Sequence, residues 1–450
     1  MRFWLILLTL VLPCGAWAQA AEPVKTEEPI SIEARVIETT PPSVRAEGDV
    51  VFRQGQKLLL ADEVHYNYEE RTGLLTHATF TTCDEEHMHY KITAREILLT
   101  PDQRLRARRV RIFLGSIRLI SLPSLAINVG RGEARQTIIP RPGYNNKDGF
   151  FLASNYSLID TNSQYLDLIL RLTSKNGVQG GLMSSHILAG TASEAPEYTP
   201  DVDSELRRGS MLMPRTQENI CEFSKDSRKQ RLLSVFGGVL IRERTYDIDK
   251  KDLLVSRLPE IGIQYTSPQL CIVKEDEQPI LGAHYEARAA WGNYKEYSDG
   301  ERADRVDVRG AASTTLATYG HSTALRLGGL ARYSHYDTGD SYRAIGGALD
   351  VSRIFHGGSY ASVRFLAHGT SGSTPFEFDD IDIKRELQAA GRYVLGRNTY
   401  SLLLDYDLED HSLRNWEFSI SRKMHCLEPG ISWRNDYDQI SFTMRVLGLN

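Results

Sequence analysis

From about Gly149 to its C-terminus the chain alternates apolar and polar residues at a period of two, yet no segment beyond the N-terminal leader is apolar enough to form a membrane-spanning helix. Leu166, Leu168, Leu170 and Leu172 alternate with Asp167 and Arg171, and Ala361, Val363, Phe365 and Ala367 with Ser362, Arg364 and His368. Tyr400, Leu402, Leu404, Tyr406 and Leu408 alternate with Ser401, Asp405 and Asp407, and Trp416, Phe418 and Ile420 with Glu417, Ser419 and Ser421. Such a period puts successive side chains on opposite faces of a strand. A soluble sandwich also alternates, but its strands run about 5–6 residues. Runs of about nine or ten residues, with aromatic residues toward their ends, fit tilted strands that cross a bilayer between two interfacial girdles. With ~300 residues and ~18 per strand and connection, a barrel of roughly 14–18 strands is expected over residues 149–450.

A different rhythm precedes it. Between about Ser31 and Asn128 an alanine recurs as Ala34, Ala46, Ala61, Ala78, Ala94 and Ala107. Three copies read Ala-x-x-Val/Ile: Ala61 to Val64, Ala94 to Ile97 and Ala107 to Val110. Turn chemistry stands between the units at Glu47-Gly48-Asp49, Gln54-Gly55-Gln56, Arg71-Thr72-Gly73 and Thr100-Pro101-Asp102. Evenly spaced short strands mark a stacked or rolled β-domain, expected over residues 25–130 with a connection at 131–148.

The N-terminus reads as a secretory signal over residues 1–18. Met1-Arg2 leads an apolar run from Phe3 to Leu12, too short to span a bilayer, and Ala16-Trp17-Ala18 follows. Pro13 precedes Cys14 where a lipidation signal has a small residue, so cleavage before Gln19 is expected. Net charge is −5, which offers nothing to a nucleic acid. Four cysteines remain after cleavage: Cys83, Cys221, Cys271 and Cys426. Dispersed and even in number in an oxidising compartment, they favour disulfides, and their spacing does not choose among the three pairings.

Several segments, in order, resemble one family. Ala46-Glu47-Gly48-Asp49-Val50 followed by Leu60-Ala61-Asp62-Glu63-Val64-His65-Tyr66 is similar to the OstA-type β-jellyroll of lipopolysaccharide-transport proteins. Leu119 to Ala126 with Pro123, Ile138-Ile139-Pro140-Arg141-Pro142-Gly143-Tyr144 and Asp148-Gly149-Phe150 look like that family's passage from jellyroll into barrel. Arg257-Leu258-Pro259-Glu260-Ile261 resembles a leucine-proline-glutamate signature inside its barrel, and Cys426 to Leu449 its last hairpin. The chain is thus similar to a short member of the LptD (OstA, organic solvent tolerance) family.

The resemblance implies an all-β protein of the outer membrane, with a periplasmic jellyroll that receives lipopolysaccharide and a barrel that inserts it into the outer leaflet through a lateral seam. It implies no cofactor and no resident metal. Partners would be lipopolysaccharide or a related glycolipid and periplasmic bridge proteins of the same jellyroll type. A plug lipoprotein inside the barrel is the family partner for which a barrel this small leaves least room. A groove would be lined by Val50, Phe52, Leu58, Leu60, Val64, Tyr66, Tyr68, Ile92, Ile97 and Leu99, residues that serve equally well as a plain core. Pro140 matches a family proline of the lateral gate. A second one falls on Asn155, and Pro142 stands nearby as a substitute. Cys426 matches a C-terminal cysteine that bonds to the N-terminal domain, implying Cys83–Cys426 and leaving Cys221 with Cys271.

Other chemistries have thinner support. Cys83, His87 and His89 form a C-x3-H-x-H cluster with no evident fourth zinc ligand. An outer-membrane lipid hydrolase would need a serine nucleophile motif, and none is present. Arg104, Arg106, Arg108, Arg109 and Arg111 could meet lipid phosphates or simply be solvated, since in a regular strand they alternate in direction. A plain porin would use Arg305, Asp307, Arg309, Arg326 and Arg332 as a selectivity ring but leaves the N-terminal domain idle.

Overall fold

The computed structural model describes residues 30–55, 57–83, 88–101, 104–128, 139–161, 163–190, 232–245, 253–266, 271–272, 280–281, 283–319, 323–355, 359–381, 384–435 and 438–447. The expected signal segment and Cys221 lie outside them. Among the described residues there is no helix long and apolar enough to cross a membrane.

The N-terminal domain is one antiparallel sheet of eight strands: β1 (Ile30–Glu33), β2 (Val36–Thr40), β3 (Ser43–Gln54), β4 (Lys57–Asn67), β5 (Thr72–Thr81), β6 (Tyr90–Leu99), β7 (Arg104–Leu114) and β8 (Ile117–Asn128). From β3 onward each strand pairs with the next, while β1 and β2 both pair with β3, so β1/β2 and β8 are the free edges. One apolar cluster draws on both ends of this order, from Phe52 and Tyr66 on β3 and β4 to Ile112 and Leu125 on β7 and β8. These residues are at most 9% exposed although no second sheet packs over them among the described residues, so the sheet curls over its own inner face.

The alanine repeat is what rolls it. In β4, β6 and β7 the alanine and the Val or Ile three residues on are both buried: Ala61 and Val64, Ala94 and Ile97, Ala107 and Val110. In a regular strand residues three apart face opposite sides, so two successive residues must turn outward between them. These are Asp62-Glu63, Arg95-Glu96 and Arg108-Arg109. Leu75 and Ala78 do the same in β5, and in β3 the register shifts between Glu47 and Val50. Asp49, His77 and Arg109, on alternate strands, take the left-handed backbone that this phase change needs. The break lies at one level across the sheet and bends it, as bulges do in curved sheets. Pro123, without an N–H, sits where the β7–β8 ladder is interrupted, between the pairs Val110–Leu122 and Arg108–Ser124. Glu47-Gly48-Asp49, expected as a turn, is therefore a bulge inside a single strand.

The remainder is a closed antiparallel barrel of sixteen strands, within the range expected. It comprises β9 (Arg141–Asn145), β10 (Gly149–Asp160), β11 (Gln164–Thr173), β12 (Gly177–Ala189), β13 (Leu232–Thr245) and β14 (Leu253–Thr266), a first group. The short hairpin β15 (Cys271–Ile272) and β16 (Ile280–Leu281) stands apart as its own sheet. The barrel continues through β17 (Ala283–Glu296), β18 (Arg302–Tyr319), β19 (Thr323–Tyr336), β20 (Ser341–Ile354) and β21 (Tyr360–Gly372). It ends with β22 (Arg385–Leu395), β23 (Asn398–Asp407), β24 (Ser412–Arg422), β25 (Leu427–Arg434) and β26 (Gln439–Val446), and β26 closes onto β9. The barrel therefore begins at Arg141, inside the expected connection. A five-residue strand with Pro142 in it is too short for alternation to reveal.

The alternation is inverted relative to a soluble core. Charged side chains are buried inside, among them Asp167, Glu260, Arg288, Asp350, Asp405 and Glu428. Leu182, Val239, Ile263, Val308, Leu349, Val363 and Leu402 are exposed on the outside. Outward aromatics gather near both rims: Phe150, Tyr333 and Trp433 at the end away from the N-terminal domain, Tyr285 and Tyr393 near it. An apolar belt between aromatic girdles around a polar interior is the arrangement of a barrel solvated by lipid.

Candidate functional site

Two features lie where the domains meet, a covalent joint and a weak seam, and a third, an inward-folded segment, lies in the lumen at the opposite end. The joint begins at the end of β5. Buried Tyr90 accepts the Thr82 amide at 2.9 Å and donates to the Thr82 hydroxyl at 3.0 Å. Thr81 donates to the Tyr90 carbonyl at 2.8 Å and accepts the Cys83 amide at 3.1 Å. Burial raises the Tyr90 phenol above its ordinary value, so it stays a neutral donor. Cys83, held by these contacts, is disulfide-bonded to Cys426 between β24 and β25, with Cα atoms 5.1 Å apart. This is the pairing that the family resemblance implied. Thr82 also donates to the Leu447 carbonyl at 2.5 Å, just past the end of β26. On the other side, Ser124 of β8 donates to the Leu158 carbonyl of β10 at 2.9 Å.

The seam is the β9–β26 contact. β9 pairs with β10 over all five of its residues but with β26 only at Tyr144–Ile440 and Gly143–Ser441. Pro140 is buried just before β9. Pro142 is exposed within it, one residue below the last pair and without an N–H to extend the ladder. Below that point Phe442 to Val446 has no barrel partner on this side among the described residues. A Cβ on Gly143 would lie 2.2 Å from the Phe151 ring and 2.7 Å from the Ile440 carbonyl, so only glycine lets even these pairs form. The far end is latched by side chains. Asn145 donates to Gln439 at 3.3 Å and Asn146 to Asp438 at 2.7 Å. Asp148 beneath them accepts from Arg171, Asn176 and Gln179.

The interior cluster of the N-terminal domain does not stop at the domain boundary. It includes Tyr156 on β10 and Leu427 and Val446 on β25 and β26, and Leu168 on β11 and Met444 on β26 pack against it. By alternation these five face out of the barrel, on both sides of the seam. Buried Ile139, between β8 and β9, belongs to the same cluster. An apolar interior thus runs to the membrane-facing side of the barrel's weakest contact.

Of the proposed groove residues, Val50, Phe52, Val64, Tyr66, Ile92 and Ile97 belong to this cluster and Leu99 packs against it. Leu58 and Leu60 do not: they alternate with interior Leu59 and Ala61 and so point the other way. Leu58 lines a cavity of about 140 Å³ beside Thr82, Cys83 and His425. Tyr68 lies in the turn beyond β4 and is 44% exposed. Of the arginine run, Arg108, Arg109 and Arg111 are exposed and Arg106 is half-buried. The phase change in β7 sends them all to the outer face, away from the apolar interior. Cys271 lies in β15, and its expected partner Cys221 is outside the described residues.

A segment folds into the lumen at the end away from the N-terminal domain. Residues 373–381, between β21 and β22, turn inward through the 3-10 turn Glu377–Asp379. Phe376 and Phe378 bury their rings against Tyr294 and Tyr336, with centroids 5.8–5.9 Å apart for Tyr336–Phe376 and Tyr294–Phe378. Asp379 accepts from Arg305 at 2.6 and 2.8 Å, from Arg332 at 2.5 Å and from Tyr336 at 2.8 Å. Arg332 bridges on to Asp307 at 2.6 Å, and Arg305 to the Tyr294 hydroxyl at 2.8 Å. Tyr294 continues to Glu260, which also holds Arg257 and Arg288. Arg305, Asp307, Arg326 and Arg332, the proposed selectivity ring, are each at most 8% exposed, and Arg309 is half-buried. Arg305 and Arg332 are held in ion pairs with Asp379 and Asp307, and Arg326 with Asp350. Composition held no sign of the inward segment, whose Phe376-Glu377-Phe378-Asp379 alternates like any short strand.

No family model and no curated protein matches the chain. Among solved structures it is similar to an anion-selective porin from Comamonas acidovorans, at 10% identity over 68% of this chain and 95% of the porin, with a TM-score of 0.29. It is also similar to a loop L8 deletion mutant of OmpT, an outer membrane protein of Vibrio cholerae, at 9% identity over 68% and 94% of the two chains, TM-score 0.23. The translocation pore of the P pilus usher PapC matches at 10% identity over 89% and 94%, TM-score 0.19. At such values the barrel rests on this chain's own strand pairing, and no function is carried over from these proteins.

Proposed function

We propose that the chain is an outer-membrane lipid-export conduit that delivers lipopolysaccharide, or a closely related glycolipid, from a periplasmic N-terminal domain through the β9–β26 seam to the outer leaflet. The observation that carries this reading is the continuity of the N-terminal domain's apolar interior with Tyr156, Leu168, Leu427, Met444 and Val446 on both flanks of the seam.

The physical problem is to keep acyl chains out of water. A chain of ~12 carbons needs ~10 kcal/mol of apolar contact at about 0.8 kcal/mol per methylene. The rolled sheet supplies an apolar interior, and because its edges β1/β2 and β8 are not paired to each other, it admits a chain by parting them. The chain then moves from that interior into the membrane beside β26 without crossing water. The headgroup passes on the lumenal side, where Asn155, Asp167, Gln388, Asp405, Asn415 and Gln439 offer hydrogen-bonding groups to sugar hydroxyls. The exposed edge strand β2 suits edge-to-edge pairing with a bridge protein of the same rolled-sheet type. Residues 373–381 occupy lumen that a separate plug lipoprotein would need. This path requires no bond to be made or broken.

A photo-reactive residue in place of Phe52 or Tyr66 tests the reading in living cells. The expected outcome is a light-dependent adduct with lipopolysaccharide, and a second one from Met444. A solute pore predicts no adduct at any of the three.

A further inference from the structure

The joint between the domains gathers more metal-binding chemistry than a disulfide requires. His89 Nδ1 lies 3.4 Å from Cys426 Sγ, and one ligand atom from each of Cys83, His89 and Cys426 falls within 4.8 Å of the others. His425, next in sequence to Cys426, sets its ring 6.2 Å from the His89 ring and lines the same cavity as Cys83. Two cysteines and His89 therefore meet between the two domains, and His425, next to Cys426, stands at a cavity of about 140 Å³ that Cys83 also lines. A disulfide needs neither imidazole. Two thiolates and two imidazoles are the donor set of a closed tetrahedral zinc site.

We propose that the dithiol form of this joint binds one zinc-class divalent ion through Cys83, His89, Cys426 and His425, and that this ion and the Cys83–Cys426 disulfide are alternative cross-links at one place. Cα atoms 5.1 Å apart allow both, because side-chain rotation alone separates the sulfurs to the ~3.8 Å that tetrahedral coordination at ~2.3 Å from the metal implies. The two states interconvert by defined chemistry. A dithiol reductant supplies two electrons and two protons to the disulfide and becomes a disulfide itself. The metal then displaces the two thiol protons. In the forward direction a disulfide oxidant is attacked by one thiolate, and the second thiolate resolves the mixed disulfide. The Cys83–Cys426 bond forms, both electrons leave with the reduced oxidant, and the ion is released because disulfide sulfur is a poor ligand. A metal-bound joint selects one pairing among the four mature cysteines before oxidation, which their spacing alone does not do.

Cobalt(II) is the probe. The chain from Gln19 onward in detergent micelles, carrying Cys221→Ser and Cys271→Ser to remove other thiols, is reduced with a phosphine and titrated with cobalt. The expected result is one cobalt per chain, with a near-ultraviolet sulfur-to-metal band and the visible bands of tetrahedral cobalt, both bleached when zinc is added. Cys83→Ser removes the sulfur-to-metal intensity in part and Cys83→Ser with Cys426→Ser entirely. His89→Ala with His425→Ala weakens binding by roughly tenfold or more. That variant is a test of ligation and not of folding, since on re-oxidation it should still form the Cys83–Cys426 bond in non-reducing electrophoresis. The proposal is overturned if the reduced chain shows no tetrahedral bands, if the histidine variant binds with unchanged affinity, or if the oxidised chain gives the same spectrum.

Discussion

At the residue scale the N-terminal domain is anchored by one phenol. Tyr90 is fully buried, and its hydroxyl both accepts from the Thr82 amide and donates to the Thr82 side chain. Tyr90→Phe leaves the buried Thr82 amide without an acceptor, an expected loss of about 1–3 kcal/mol. Hydrogen exchange over residues 79–90 reads it as faster exchange at Thr82. The phenol also gives the domain an alkaline limit. Burial raises its folded-state pKa, so the unfolded chain ionises first, near its ordinary value of about 10. Stability from this group is complete below that pH and declines as pH rises beyond it. In Tyr90→Phe this part of the alkaline decline should vanish. Nothing in the sequence distinguishes Tyr90 from the chain's other tyrosines, because its role depends on Thr82, which the antiparallel pairing of β5 and β6 brings alongside it. Gly143 is likewise silent in sequence: the ring it must avoid, Phe151, sits on a neighbouring strand.

At the scale of elements, what was legible was periodic. Alternation located the barrel, and the recurring alanines located the N-terminal strands, since both patterns are local. The reason for the alanine spacing was not legible until pairing showed that Ala-x-x-Val/Ile marks a change of phase at one level of the sheet. For the same reason the arginines of β7 were expected to alternate and instead share the outer face. Residues 373–381 were invisible because their structure is tertiary. They are held inside the lumen by Phe376 and Phe378 packed on Tyr294 and Tyr336 and by Arg305 and Arg332 on Asp379. Asp379→Ala leaves two buried guanidinium groups without this partner, for an expected loss on the order of 3–5 kcal/mol. Release of the segment should then raise single-channel conductance in planar bilayers above that of the wild-type chain. Equal conductance would mean that the segment does not limit the lumen.

At the scale of the whole molecule, the two domains are tied by a disulfide as well as by a shared apolar cluster. Cys83 and Cys426 are separated by 343 residues in sequence, so in the chain-entropy view their bond stabilises the folded arrangement by up to ~5 kcal/mol. Cys83→Ser and Cys426→Ser should show the same altered mobility in non-reducing electrophoresis, and in both the N-terminal domain should become more sensitive to protease. The family resemblance supplied this pairing, and the geometry bears it out, whereas spacing alone left three choices. The apolar continuity from domain to seam was not legible at all. Nothing in the sequence sets Tyr156, Leu427, Met444 and Val446 apart, and only the docking of the N-terminal domain shows that they are covered by it.

The central claim is that lipid leaves through the β9–β26 contact, and a cross-link tests it directly. Tyr144 and Ile440 are opposed across the seam, and Leu402 and Phe418 are opposed on β23 and β24, away from it. Cysteine pairs at each position, with bond formation verified by mobility, are compared for newly made lipopolysaccharide at the cell surface. Closing the seam pair should stop its arrival while lipid accumulates on the N-terminal domain, and closing the control pair should leave export intact. Undiminished surface lipopolysaccharide with the seam pair fully closed would contradict the account.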